Sequence, residues 1–67
     1  MRSDMIDRDS LGLQVVRKLN REPMTAGSIG EALEIDIGEV ASVLRVLERR
    51  GDVTSFVREA LIYWRLK

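Results

Sequence analysis

The clearest pattern in the sequence is a helical repeat of apolar residues between residues 36 and 50. These residues recur at spacings of three and four, which places them on one side of a helix: Val40, Val43, Leu44 and Leu47. Asp36 precedes the repeat, and Glu39 lies three positions after Asp36. This spacing is that of a capping box with Asp in the Ser/Thr place. Gly51 supplies a stop signal, so we predict a helix that ends at Arg50.

A first amphipathic helix of about three turns is predicted nearer the N-terminus. Its apolar residues share one face and are Leu11, Val15, Val16 and Leu19. Asp9 and Ser10 are both favourable N-cap residues, so either can open the helix. Glu22 and Pro23 are expected to end it, because proline disfavours helical backbone in the preceding residue. We predict a flexible lead-in at residues 1–8 and a single domain at residues 9–67.

A second helix is predicted from an N-cap at Thr25 to about Leu33, after a short extended step at Met24 and Thr25. Its apolar face consists of Ile29, Ala32 and Leu33. Gly30 lies inside this helix, where glycine is less favourable than alanine by about 0.5–1 kcal/mol. We therefore interpret Gly30 as a point of close contact between helices.

After Gly51 the apolar period changes from 3.6 to 2, which predicts a hairpin of two short strands. The strand-forming residues are Val53, Thr54, Phe56 and Val57, followed by Ile62, Tyr63 and Trp64. Residues 58–60 form the turn, whose type is left open because it lacks Gly, Asn and Asp. Alternation places Ile62, Trp64 and Leu66 on the buried face and Tyr63, Arg65 and Lys67 outside. The predicted core consists of Val15, Val16, Leu19, Ile29, Leu33, Ile35, Val40, Leu44, Leu47, Val53, Ile62 and Leu66.

This order of elements resembles the winged helix-turn-helix family over about residues 11–67. Residues 24–33 resemble its second helix, residues 35–53 its turn, recognition helix and the start of its wing, and residues 63–66 the close of that wing. The resemblance implies an α+β fold with three helices and a C-terminal two-stranded β-hairpin wing. Family members usually have Gly where Glu34 stands, which leaves open whether the turn before the third helix is built differently.

The resemblance also implies a DNA-binding function in which the third helix enters the major groove. Carried over by position, the contact residues are Gly38, Glu39, Ser42, Arg45, Val46 and Arg49 on that helix and Arg58 at the hairpin tip. The expected partner is double-stranded DNA, and the expected role is that of a transcriptional regulator in a prokaryotic cytoplasm. Winged helices that bind left-handed duplexes use a helix Asn and Tyr with a Pro-rich wing. This chain lacks those residues there, so left-handed DNA is not the expected partner.

Charge and size leave a second interpretation open. Eleven basic residues balance eleven acidic ones, whereas a dedicated nucleic-acid binder usually has a basic excess. An apolar Val46 on the free helix face is equally natural at a protein interface. The alternative function is therefore a protein-protein docking or dimerisation module in a larger assembly. A 67-residue chain without cysteine also lacks the usual stabilising cross-links, which favours a homodimer or a protein partner.

Catalytic and metal-binding functions have little support in the composition. The chain contains no His and no Cys, which removes the commonest general base at neutral pH and the commonest soft metal ligands. Its glycines form neither a phosphate loop nor a dinucleotide fingerprint. We expect no enzyme activity, no cofactor and no metal, and the absence of a long apolar run predicts no membrane association.

Overall fold

A computed structural model describes residues 8–67 of the chain, which form three helices and three strands. The elements are, in chain order, α1 (Arg8–Leu19), β1 (Met24–Thr25), α2 (Ala26–Leu33), α3 (Ile37–Arg49), β2 (Val53–Arg58) and β3 (Leu61–Leu66). This confirms the predicted α+β class with three helices and a C-terminal hairpin. The predicted lead-in lies outside the described residues except for Arg8, which belongs to α1.

The hairpin belongs to a three-stranded antiparallel sheet with the strand order β1-β3-β2. The extended step predicted at Met24 and Thr25 is a short strand that pairs with Trp64 and Tyr63 of β3. Two residues, Glu59 and Ala60, connect β2 to β3, and their φ angles are 53° and 68°. Positive φ at both central residues defines a type I′ turn, whose twist matches that of the strands that it joins.

The two predicted boundaries of α1 were wrong. Asp9 and Ser10 have helical backbone and follow Arg8 in the helix, so neither is its N-cap. The helix ends at Leu19, before Glu22 and Pro23 are reached. The reason for the early end is the sheet, because the chain must leave the helix in time for Met24 to pair with Trp64.

Both ends of α2 are formed by local hydrogen bonds. At its start the Thr25 hydroxyl accepts a hydrogen bond from the Ser28 N–H at 3.1 Å, which confirms the predicted N-cap. At its end, in the tight connection to α3, Glu34 adopts φ 58° and ψ 46°, and the Ile35 N–H donates to the Gly30 carbonyl at 2.9 Å. The turn therefore has the left-handed conformation that glycine adopts most readily, with glutamate in its place.

Helix α2 meets the start of α3 at Gly30, as predicted. An added Cβ atom there would lie 2.8 Å from the backbone oxygen of Ile35 and 3.7 Å from Cγ2 of Val40. No side chain fits such a gap without a shift of the backbone, so the absence of a side chain permits this close approach.

The core lies where the three helices meet the inner face of the sheet. Its buried apolar residues are Leu11, Val15, Leu19, Ile29, Val40, Val43, Leu44, Leu47 and Val53. Further residues of the predicted core are partly buried against it: Val16, Leu33, Ile35 and Leu66. Trp64, predicted on the buried face, packs there as well. Ile62 was predicted to be buried but is 56% exposed, because its pair with Val57 lies at the wing tip beyond the helices.

Candidate nucleic-acid interface

Helix α3 is held at both ends by backbone-directed hydrogen bonds. The Asp36 carboxylate accepts from the Gly38 N–H at 2.8 Å, which confirms Asp36 as the N-cap. At the C-terminal end Gly51 has φ 85°, and its N–H donates to the Glu48 carbonyl at 3.0 Å. The Asp52 N–H donates to the Leu47 carbonyl at 2.9 Å, which completes a Schellman motif and confirms Gly51 as the stop signal.

The apolar stripe of α3 fixes the rotation of the helix about its own axis. Its side chains are at most 5% exposed and are those of Val40, Val43, Leu44 and Leu47. With 3.6 residues per turn, the face opposite this stripe is carried by Gly38, Ser42, Arg45 and Arg49. All four residues are exposed, so the two arginines and the serine point away from the core. These four exposed residues form a polar, cationic surface, called the α3 ridge below.

Glu39 and Val46 are also exposed, but they lie on the flank of α3 that faces α1. A small cavity of about 70 Å³ runs between the two helices there. It is lined by Gly12, Glu39, Ser42, Val43, Val46, Leu47 and Arg50. A Cβ atom at Gly12 would lie 3.8 Å from Cδ2 of Leu47, so this glycine leaves the floor of the cavity open. The flank is therefore more apolar than the ridge.

Arg58 is placed apart from the α3 residues. It lies on β2 at the wing tip, where it lines an open depression with Tyr63 and with Thr25 and Ser28 at the start of α2. Its guanidinium carbon is 5.7 Å from the centroid of the Phe56 ring. This arrangement fits a cation–π contact that holds the side chain along the outer face of the sheet.

Two further contacts lie near Arg58 and at the end of α3. The Phe56 and Tyr63 rings stack with centroids 5.7 Å apart and an interplanar angle of 17°. The hairpin register pairs these two residues, so the stack can be predicted only when the position of the turn is known exactly. The second contact is made by Arg50, which adds a third arginine at the end of α3 and lies 3.7 Å (Nε to Oδ2) from Asp52. Both side chains of this pair are about half exposed or more, so its contribution to stability is small.

Other kinds of site find no support in residues 8–67. No group of three or more His, Cys, Asp or Glu residues in this range is placed to hold a metal ion. None of the three helices combines the length and the apolar content needed to cross a bilayer.

The fold is a winged helix-turn-helix. Its elements follow in the order helix, strand, helix, left-handed turn, helix and hairpin, and β1 pairs with β3 as the third strand of the sheet. No known protein-family profile matches the sequence, and no curated protein matches it. Solved structures do match. The Zalpha domain of Carassius auratus PKZ, solved in complex with Z-DNA, has a TM-score of 0.80 at 18% identity. The match covers 90% of this chain and 97% of that domain.

Two bacterial structures share the fold as well. The transcriptional regulator HlyU of Vibrio vulnificus has a TM-score of 0.80 at 24% identity, with 85% of this chain and 59% of HlyU covered. The homodimeric winged helix-turn-helix DNA-binding domain of Mycobacterium bovis Mb0332 has a TM-score of 0.78 at 16% identity, with 97% and 75% covered. The chain thus spans less than two thirds of HlyU. At these identities the likeness establishes the winged helix-turn-helix fold and leaves the ligand to be argued from the site.

Proposed function

We propose that this chain binds double-stranded DNA by placing α3 in the major groove, and that it acts as a transcriptional regulator. The observation that carries the proposal is the division of α3 into a buried Val and Leu stripe and an exposed ridge with Ser42, Arg45 and Arg49. The B-form major groove is about 12 Å wide and accepts an α-helix, so a helix that is anchored on one side and polar on the other fits it.

The ridge offers suitable chemistry for such a groove. Arg45 and Arg49 are one turn apart and carry planar guanidinium groups that pair with phosphate oxygens or with the O6 and N7 acceptors of guanine. Ser42 can donate to or accept from a base edge or a phosphate. On the flank, Glu39 can accept from cytosine N4, and Val46 can contact a thymine methyl group. Gly38, which has no side chain, lets the backbone approach closely. Arg58 is proposed as a separate backbone contact from the wing.

The comparisons support this proposal without deciding it. HlyU is described as a transcriptional regulator, and the Mycobacterium bovis domain is described as homodimeric and DNA-binding. This chain has the same fold and carries a cationic ridge on the corresponding helix. Its net charge is zero, so the affinity is expected to come from a few well-placed arginines and to be weak at physiological salt.

A salt titration of duplex binding tests the proposal. Fluorescence anisotropy of a labelled random-sequence duplex is measured over a KCl series for the wild type and for Arg45→Ala with Arg49→Ala. Each phosphate contact adds about 0.9 to the slope of log K against log salt, so the double variant is expected to flatten the slope by about 2. At low salt it is expected to lose at least about tenfold in affinity.

Arg17→Ala with Arg21→Ala is the matched control, because both of these arginines are exposed and lie outside α3. It removes the same charge and is expected to keep the wild-type slope. Equal losses in the two double variants would show that bulk charge alone binds the duplex, and a wild type that binds no duplex at low salt would refute the proposal.

We propose that the preferred duplex is right-handed. The goldfish Zalpha domain was solved with Z-DNA, and its fold is shared by this chain. However, α3 contains neither Asn nor Tyr, and the Glu59-Ala60 turn contains no Pro. A competition between a right-handed duplex and a chemically stabilised left-handed one is expected to favour the right-handed form. Preference for the left-handed form would contradict this part of the proposal.

The α1–α3 cavity favours a second candidate function, docking of a protein segment against α3. Val46 is 44% exposed beside apolar cavity walls formed by Val43 and Leu47. Under this alternative, Val46→Gln abolishes association with protein, and the wild type binds no duplex. A wild type that binds duplex and whose sedimentation is unchanged by Val46→Gln contradicts it.

We also propose that the chain acts in the cytoplasm of a prokaryote, without a bound cofactor and without catalytic activity. The absence of cysteine suits a reducing compartment. Recovery of the native protein in a secreted or membrane fraction would contradict the proposed location.

A further inference from the structure

The strand β2 forms an open edge of the sheet made by the described residues. The strand order β1-β3-β2 leaves it paired on one side only, and its pairs with β3 run without interruption from Val53 to Arg58. Natural edge strands are usually protected from pairing by Lys, Pro or a bulge. Among its six residues β2 has neither Lys nor Pro, and Arg58 at its end is its only charge. This strand is therefore available to pair with another.

One hydrogen bond shows toward which side of β2 each residue directs its backbone N–H and C=O groups. The Asp52 carbonyl accepts from the Lys67 N–H at 3.1 Å, so Asp52 directs its backbone groups toward β3. Because antiparallel strands alternate between bonded and non-bonded pairs, the even-numbered residues of β2 also face β3. The backbone groups of Val53, Ser55 and Val57 consequently face the open edge.

We propose that two copies of this chain associate by antiparallel pairing of their β2 strands about a two-fold axis at Ser55, which makes a continuous six-stranded sheet. In this register Ser55 lies opposite Ser55 of the second copy, and Val53 lies opposite its Val57. A two-fold axis makes the interface self-complementary, so each contact away from the axis occurs twice.

Two charges select this register: Asp52, which directly precedes β2, and Arg58, which is its last residue. Asp52 lies opposite Arg58 of the second copy, and both residues belong to a non-bonded pair, where side chains approach most closely. A shift by two residues in one direction sets Arg58 against Arg50 of the second copy. A shift in the other direction sets Arg58 against Thr54 and loses both acid–base pairs. Opposite charges directly across two strands stabilise their pairing, whereas like charges destabilise it.

The apolar residues at the wing fit the same register. Val57 is 71% exposed in the single chain, although it follows Val53 and Ser55 on the inner face of the sheet. Pairing places Val57 beside Val53 of the second copy, at the margin of its core, and sets Thr54 across from Phe56 on the outer face. One pair of short strands buries less than the 1,200 Å² or more that is usual in stable complexes, so the dimer is weak and concentration-dependent.

This inference is independent of the proposed DNA binding, because the α3 ridge takes no part in the strand pairing. The two proposals meet only at Arg58. In the dimer its guanidinium faces Asp52 of the second copy, so a wing contact between Arg58 and DNA competes with dimerisation. The tests of the interface are therefore made without nucleic acid.

Charge reversal and mixing test the interface. Sedimentation velocity is measured over a concentration series for the wild type, Asp52→Arg and Arg58→Asp. Each single variant sets like charges opposite each other twice and is expected to weaken dimerisation on the order of tenfold. An equimolar mixture of the two variants restores both acid–base pairs in the heterodimer and is expected to recover association. A folding defect in either variant is not repaired by mixing, so recovery is specific to an interface between copies.

A cysteine cross-link tests the register, because the chain has no other thiol. Ser55→Cys places two thiols across the two-fold axis at a Cα separation of about 5.5 Å, within the range that a disulfide spans. It is expected to form a covalent dimer under mild oxidation. Val57→Cys is the control on the same face, also at an exposed position, and it is expected to remain monomeric because its counterpart lies several residues away along the strand.

Three results would overturn the proposal. They are a wild type that stays monomeric up to the limit of its solubility, a dimer that neither charge reversal weakens, and faster cross-linking at Val57→Cys than at Ser55→Cys.

Discussion

Substitution of Gly30 by alanine gives the sharpest test of how the α2–α3 connection is built. In most helix interiors this change is stabilising by about 0.5–1 kcal/mol, because alanine loses less conformational freedom on folding. At Gly30 the added methyl group would lie 2.8 Å from the Ile35 backbone oxygen. We therefore expect the sign of the effect to be reversed.

The loss of unfolding free energy depends on how much backbone must shift to make room for the methyl group. Ile35 donates its N–H to the Gly30 carbonyl at 2.9 Å and is held between Glu34, in the left-handed conformation, and the N-cap Asp36. Its carbonyl cannot retreat without a shift of this whole turn. Overpacking of this kind costs about 1–3 kcal/mol, so the free energy of unfolding is expected to fall by about 1–2 kcal/mol after the helical gain is subtracted. For a domain of this size the Tm falls by about 4–15 °C.

The assay is urea denaturation followed by circular dichroism, with Gly27→Ala as the matched control. Gly27 lies in the same helix, but an added Cβ atom would meet Ile37 Cδ1 at 3.7 Å, which is ordinary contact. Gly27→Ala is expected to raise the free energy of unfolding by up to about 1 kcal/mol. A Gly30→Ala variant as stable as the wild type, or one that shifts stability in the same direction as Gly27→Ala, would rule out a costly clash with the Ile35 carbonyl.

Three further variants test single features of the fold. Glu34→Gly relieves the left-handed backbone at φ 58° and is expected to raise Tm by several degrees in a thermal melt, a gain of about 0.5–1 kcal/mol; a lower Tm would contradict the strain argument. Glu59→Asn with Ala60→Gly supplies the residues that a type I′ turn prefers, so the midpoint in urea is expected to rise by the equivalent of about 1 kcal/mol, whereas no change would show that the turn is not strained. Leu44→Ala empties a site with 0% exposure and is expected to lose about 2–5 kcal/mol in chemical denaturation; a loss below 1 kcal/mol would mean that the core closes around the gap.

The elements that the sequence predicts best are those whose signals are local. Thr25, Asp36 and Gly51 were identified from residue type and position, and each one makes the predicted cap or stop. These bonds join groups only a few residues apart, side chain to backbone at Thr25 and Asp36 and backbone to backbone at Gly51, so no distant contact is needed to predict them. The stripe on α3 was predicted for a similar reason, since its spacing appears directly in the sequence.

The errors concern places where distant elements meet. The end of α1 was placed at Glu22 and Pro23, but the pairing of Met24 with Trp64 ends the helix at Leu19. Ile62 has the alternation of a core residue and is exposed because it lies at the wing tip, beyond the three helices of residues 8–67. Neither result is visible in a local pattern, because each one depends on where another element stops.

The candidate site also combines features that follow from local pattern with features that depend on distant elements. The exposure of the six α3 positions follows from the helical period and was predicted, whereas their assignment to DNA remains a proposal. The separation of Arg58 from α3, and its contact with the Phe56 ring, come from the hairpin register and from the sheet. The α1–α3 cavity likewise depends on Gly12 facing Leu47 across two helices.

The three helices, the hairpin, the caps at Thr25 and Asp36 and the buried side of α3 could be predicted from residue pattern, because they depend on neighbouring residues and on periodicity. Three features instead required the assembled fold: Met24 and Thr25 form a third strand, glutamate takes the left-handed position in the turn, and β2 is an edge strand of the sheet formed by residues 8–67. These outcomes depend on how separate elements pack and pair, which is settled by the whole fold and not by any one segment.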